Sequence, residues 1–220
     1  SMSEDIPAGD SAASLSTTPP KDRYRALALA IEELLKRVGH RANYGATLFP
    51  ASDGACSSGD EIFSLRPGDT SSFALSGEVG PVLSRLMSRI RRRTPGGGTP
   101  VALALDGLVE TLGAAAGQSF VFLLTDGGPN CNDSLFCAID SCIPNIESAT
   151  LDGVECADGL NCCDDTLFGA GNCLDTTGSL AAVRRLAAVG VKTFVVGMPG
   201  PDAYAAVLAG LAEAGGAPRL

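Results

Sequence analysis

Residues 119–130, SFVFLLTDGGPN, decide how the rest of this chain is read. Ser119 to Thr125 is almost continuously apolar, and Asp126-Gly127-Gly128-Pro129 follows it as a turn. A short apolar run without alternation predicts a strand buried on both faces, which is the habit of parallel sheets covered by helices. Val191 to Val196 (VKTFVV) has the same character. Helical patterns from about Ser179 to Val189 and from Asp202 to Ala214 flank that second run. Strand and helix in alternation predict an α/β fold: a Rossmann-like, doubly wound, mainly parallel sheet with helices on both faces and right-handed crossovers.

Working back toward the start, the same alternation persists. Residues 3–20 are rich in Ser, Thr, Pro and acidic side chains and read as a flexible loop. Tyr24, Leu27, Ala28, Ile31, Leu34, Leu35 and Val38 then recur at intervals of three and four, with Gly39 where a C-terminal cap belongs. A strand is expected from Asn43 to Phe49, and a weaker strand or pair between Glu61 and Leu75. Pro81 opens another helix with Val82, Leu83, Leu86 and Ile90 on its inner face. Thr99-Pro100 begins a further helix through about Leu112. The chain is read as one domain, 1–220, interrupted at 130–178.

That interruption holds seven of the eight cysteines, nine acidic residues and no Lys or Arg. A stretch so polar supplies little core, so crosslinks must hold it. Four disulfides formed in an oxidising compartment fit the even count. Zinc is the competing chemistry, but no C-x-x-C pair occurs and the sole histidine, His40, is far away in sequence. Residues 130–178 are therefore expected to be a disulfide-stapled insertion on one edge of the sheet. Its acidic residues Asp152, Glu155, Asp158, Asp164 and Asp165 are calcium candidates, though without EF-hand spacing and in a setting where exposed acids are ordinarily just solvated.

Net charge is −9 over 220 residues. That opposes a phosphate-backbone partner, so no nucleic acid is expected. The one basic cluster, Arg89, Arg91, Arg92 and Arg93, falls at a helix end, where cations complement the dipole. No apolar run is long enough to cross a bilayer, so no membrane insertion by this segment is expected. The first residues lack a signal-peptide pattern, so the chain as given reads as mature or trimmed. Export to an extracellular, cell-surface or periplasmic location is inferred from cysteine usage. The Ala- and Gly-rich composition suits a bacterial source.

Ligands of open α/β sheets bind beyond the carboxyl ends of the strands. Asp126 stands at such an end, and Thr99 lies behind a glycine-rich loop that admits close backbone approach. One hydroxyl and one carboxylate with few other charges suit a magnesium ion that keeps several waters. Each residue also has a plain reading: Thr99 before Pro100 as a helix N-cap, and Asp126 as a turn residue. Enzyme readings are poor. A histidine-dependent triad must use His40, and neither G-x-x-x-x-G-K-[ST] nor G-x-G-x-x-G is present. Paired carboxylates remain open to acid/base chemistry.

GGTPVALA (97–104), followed by FLLTDGGPN (122–130) and TFVVGMPG (193–200), resembles the von Willebrand factor A-type domain. The first two match the second and third segments of that family's metal-ion-dependent adhesion site. The resemblance implies a binding module rather than an enzyme. It also implies that magnesium, with manganese or calcium as substitutes, is held by Thr99 and Asp126, directly or through water, and that a protein ligand offers a carboxylate to complete the coordination. The family's first strand and its D-x-S-x-S segment are not in this sequence. Ser1-Met2 reads either as the end of that motif, making Ser1 a third ligand, or as a cloning scar. A last strand is expected beyond residue 220. Without its central first strand the 220-residue chain is expected to be unstable or aggregation-prone, because two strand edges lose their partners. Two other readings stay open: a metal-free structural or surface-display domain that makes contacts through the cysteine-rich insertion, and a metal-assisted hydrolase.

Overall fold

The computed structural model describes residues 22–52, 56–94, 96–132, 135–139, 142–143, 154–157, 160, 162–163, 169–198 and 204–217. The chain is mixed α/β and divides into two compact units, one of Met2–Leu48 with Asp60–Gly96 and one of Phe49–Gly59 with Gly97–Leu220.

The first unit is built on helix α1, Arg23–Val38, whose expected apolar face packs inward at Tyr24, Leu27, Ala28, Ile31 and Leu35, while Leu34 and Val38 are exposed. The Asp22 side chain caps it by accepting from the Arg25 N–H at 2.7 Å. Gly39 does stand at the C-cap, but in right-handed rather than left-handed conformation, because the chain continues into a 3-10 turn, Gly39–Arg41. Strand β1, Asn43–Leu48, then pairs antiparallel with β2, Asp60–Pro67. The expected weak strand region is thus half right: β2 fills its first part, while Ser71–Ser76 forms helix α2. Helix α3, Pro81–Arg91, starts at the proline as anticipated.

Ala28, Tyr44, Phe63, Leu83, Leu86, Met87 and Ile90 make the core of this unit. The Tyr24 hydroxyl donates to the Ile90 carbonyl at 2.7 Å, tying α1 to α3. The arginines at the end of α3 do more than face solvent. Arg91 pairs with Glu32 of α1, Arg93 with Asp60 of β2 at 2.7 Å, and Arg89 donates to the Ile62 carbonyl.

The second unit holds α4, Val101–Asp106, and α5, Val109–Gly113, where the sequence predicted one helix. Strand β3, Phe120–Thr125, lies parallel to β4, Lys192–Gly197, in the register Phe120 to Lys192 through Thr125 to Gly197. Helix α6, Thr176–Ala188, connects into β4, and α7, Ala205–Ala214, follows it. After α7 the chain returns beside β4, where the Thr193 N–H donates to the Gly215 carbonyl at 3.1 Å.

Val121 and Leu123 from β3 pack with Val101, Leu105, Ala182, Val183, Leu186, Val191 and Leu211. Each such side chain contributes about 1.5–3 kcal/mol of transfer free energy on burial. The alternate positions of β3 do not join this core. Phe120 is 45% and Phe122 53% exposed, and both rings lie against Phe194 of β4. Burial of these strands on both faces is therefore corrected: α4, α6 and α7 lie against one face only. Among the described residues the sheets are two two-stranded pairs, one antiparallel and one parallel. The α/β class and a parallel pair stand; a doubly wound sheet with helices on both faces goes beyond them. No described helix is long and apolar enough to cross a membrane.

Candidate functional site at the carboxyl end of β3

β3 delivers Asp126 to its carboxyl end, and the chain turns at once. The Thr125 hydroxyl closes that turn, donating to the Gly127 carbonyl at 3.2 Å and accepting from the Gly127 N–H at 3.3 Å. Thr125 thus contributes bonds of its own to this turn. Asp126 itself is half-buried, with Oδ2 buried.

Asn130 joins this loop to Thr99. Its Oδ1 accepts from the Thr99 N–H at 2.5 Å, and its own N–H donates to the Thr99 carbonyl at 3.0 Å. Its Nδ2 reaches the Gly171 carbonyl at 2.9 Å. Asn130 is only 2% exposed and Thr99 only 6%. In so dry a place, backbone groups need partners, and one asparagine serves three of them. The segments carrying Thr99 and Asp126 are thus locked together, with the two residues on neighbouring loops as the sequence suggested. Asn130 ends the FLLTDGGPN stretch, and nothing in its spacing marks it as the bridge. Its signal is a buried asparagine beside two short loops.

The helix after Thr99 begins at Val101, with Pro100 in the N-cap position. Thr99 therefore does not occupy the N-cap that its plain reading required. The glycines before it serve close packing within the protein. A Cβ on Gly98 would lie 2.6 Å from Cys131 Cβ, and one on Gly97, at φ +93°, would lie 2.8 Å from Pro50 Cγ. The room expected for a ligand is at these two positions filled by the protein's own side chains.

Further out, Asp175 secures the loop. Its N–H donates to the Pro129 carbonyl at 2.8 Å, Oδ1 accepts from Gly178 N–H at 3.0 Å to cap α6, and Oδ2 accepts from Asn132 Nδ2 at 2.9 Å. Cys131, at φ 60°, is held in the left-handed region between these ties, bonded to Cys56.

The remaining cysteines pair as Cys137–Cys173, Cys142–Cys163 and Cys156–Cys162, so every cysteine lies in a disulfide. The pairing indicates an oxidising environment during folding. Of the calcium candidates, Glu155 is exposed, and Asp152, Asp158, Asp164 and Asp165 lie outside the described residues. Ser1 also lies outside them.

The hydroxyl of buried Thr99 and the carboxylate of half-buried Asp126 are hard oxygen donors, and residues 96–100 and 126–132 contain no Lys or Arg. That donor set fits a magnesium ion retaining several waters, and it does not fit a soft metal. No family model, curated protein or solved structure matches the chain.

Proposed function

We propose that this chain is a binding module that engages a protein ligand through a divalent metal ion at the carboxyl end of β3. Thr99 and Asp126 hold the ion, directly or through water, with Ser1 as a third ligand. Magnesium is the resident metal, with manganese or calcium able to replace it. A carboxylate of the partner completes the coordination, and no bond is made or broken. The reading rests on the likeness of the Thr99 and Asp126 segments to the adhesion site of von Willebrand factor A-type domains. The observation that carries it is the pair of hydrogen bonds by which Asn130 fixes Thr99 to the loop after Asp126. These bonds fix the Thr99 backbone, and with it the position from which its hydroxyl is presented. The disulfide-bonded cysteines support work in an oxidising compartment, and the proposed location is the cell surface, the periplasm or the extracellular space.

The test is a calorimetric titration of magnesium and manganese into the protein, with Asp126→Ala and Thr99→Val beside it. Saturable binding, abolished in the first variant and weakened at least about tenfold in the second, is the expected result. A flat titration of the unaltered protein removes the reading.

A second reading has its own support in the four disulfides and the exposed phenylalanine face. It is a metal-free structural or surface-display domain whose contacts are made by the cysteine-rich segment. Metal-independent retention of a partner would favour it.

A further inference from the structure

The cysteine-rich segment contains a second, chemically different cluster. The Sγ atoms of Cys137, Cys163 and Cys173 all lie within 4.8 Å of one another. Cys142 is bonded to Cys163, so a fourth sulfur lies next to this group of three. Two disulfides therefore lie side by side rather than scattered along the loop.

The backbone that carries them is tied by bonds independent of sulfur. Cys142 and Cys173 face each other in an antiparallel bridge, and the Ile143 N–H donates to the Asn172 carbonyl at 2.9 Å. Asn172 Nδ2 donates to the Cys162 carbonyl at 3.1 Å, and Asn130 Nδ2 holds Gly171. Cys163 and Cys173 are buried, Cys137 and Cys142 half-buried. None of these ties runs through a sulfur, so they remain available to hold the four cysteines near one another once the disulfides open.

We propose that Cys137, Cys142, Cys163 and Cys173 form a tetrahedral zinc-thiolate site when their two disulfides are reduced. At a Zn–S distance of about 2.3 Å the sulfurs of such a site stand roughly 3.8 Å apart, so both bonded pairs must separate, while the Cys137, Cys163 and Cys173 sulfurs already lie within 4.8 Å of one another. The same four residues thus have two exclusive states, two disulfides or one metal. A dithiol reductant converts the first to the second. Each disulfide takes two electrons, giving two thiols and one cyclic disulfide of the reductant. The four thiols then bind one zinc ion and release four protons. The absence of C-x-x-C does not oppose the site, because its ligands are brought together across the Cys142–Cys173 bridge and not by a local knuckle. Cys56–Cys131 and Cys156–Cys162 stand outside the group and serve as controls.

The experiment reduces the protein with excess dithiol, adds zinc, removes unbound metal by gel filtration, and measures zinc per chain. About one zinc per chain is expected for the unaltered protein and for C56S/C131S/C156S/C162S, falling to roughly a tenth or less in C137S/C163S. The quadruple variant separates this site from chelation by an unfolded chain with many thiols. Substituting cadmium must also produce the ultraviolet thiolate charge-transfer band in the quadruple variant. Three outcomes overturn the proposal: no retained zinc, equal retention in C137S/C163S, or cluster disulfides that stay closed in the reductant.

Discussion

Asn130 illustrates how much one buried side chain can decide. Replacing it with Leu keeps the volume close but strands the Thr99 N–H and the Gly171 carbonyl in a place without solvent. Each orphaned group costs about 1–3 kcal/mol, so Asn130→Leu is expected to lower stability by about 2–6 kcal/mol in urea unfolding. A loss below about 0.5 kcal/mol would mean that the bridge is not needed. Tyr44 makes a different kind of prediction. Burial, with Asp69 adding to it, pushes its hydroxyl up to about 12 from the ordinary value of 10.0. The folded chain thus favours the neutral phenol more than the unfolded chain does. That stability is fully present below pH 10 and drains away as the pH rises through about 12, because the unfolded chain ionises first. Tyr24 is raised too, chiefly by burial. Tyr44→Phe should flatten the alkaline loss seen by far-ultraviolet circular dichroism; an unchanged pH profile in that variant would assign the loss to other groups.

Whole elements depend on contacts that arrive from elsewhere in the chain. Helix α3 has Gly80 at its N-cap, which offers no side chain. Asp69 takes over from outside, accepting from the Val82 and Leu83 N–H groups at 2.8 Å each. Asp69→Ala is expected to cost about 1–2 kcal/mol, as the loss of any good N-cap does, with the drop read in thermal melts. Strand β3 shows how neighbouring apolar residues part company. Leu123 is 2% exposed within the core, and the adjacent Phe122 faces outward. Leu123→Ala should therefore destabilise by about 2–5 kcal/mol and Phe122→Ala by less than about 1 kcal/mol. Equal effects would show that the outward face is covered in solution.

For the molecule as a whole, the crosslinks differ in reach. Cys56 and Cys131 are 75 residues apart in sequence, and Cys156 and Cys162 only 6. In the chain-entropy model the first contributes about 4.5 kcal/mol and the last about 2.4 kcal/mol. C56S/C131S should accordingly lower the melting temperature by clearly more than C156S/C162S, and the reverse order would point to enthalpic terms. The long crosslink also lies beside the candidate site, since Cys131 follows Asn130 and packs against Gly98. Its removal should loosen Thr99 as well as destabilise the unit.

By itself, the sequence determined what depends on neighbours along the chain. The 3.6-residue repeat of Tyr24 to Val38 yields α1, Pro81 opens α3, and the apolar runs at 119–125 and 191–196 become strands that pair. These features are local because hydrogen bonds and apolar stripes within a helix involve residues three or four apart. It also placed Asp126 at a strand end and Thr99 on a neighbouring loop. Tertiary structure alone decided which face of β3 meets helices, since a run apolar at every position fits either face. It decided the disulfide partners too, for eight cysteines allow 105 pairings and only distance in space selects one. And it decided that Asn130 and Asp69, unmarked by any motif, supply the bonds that buried or terminal backbone groups cannot find locally.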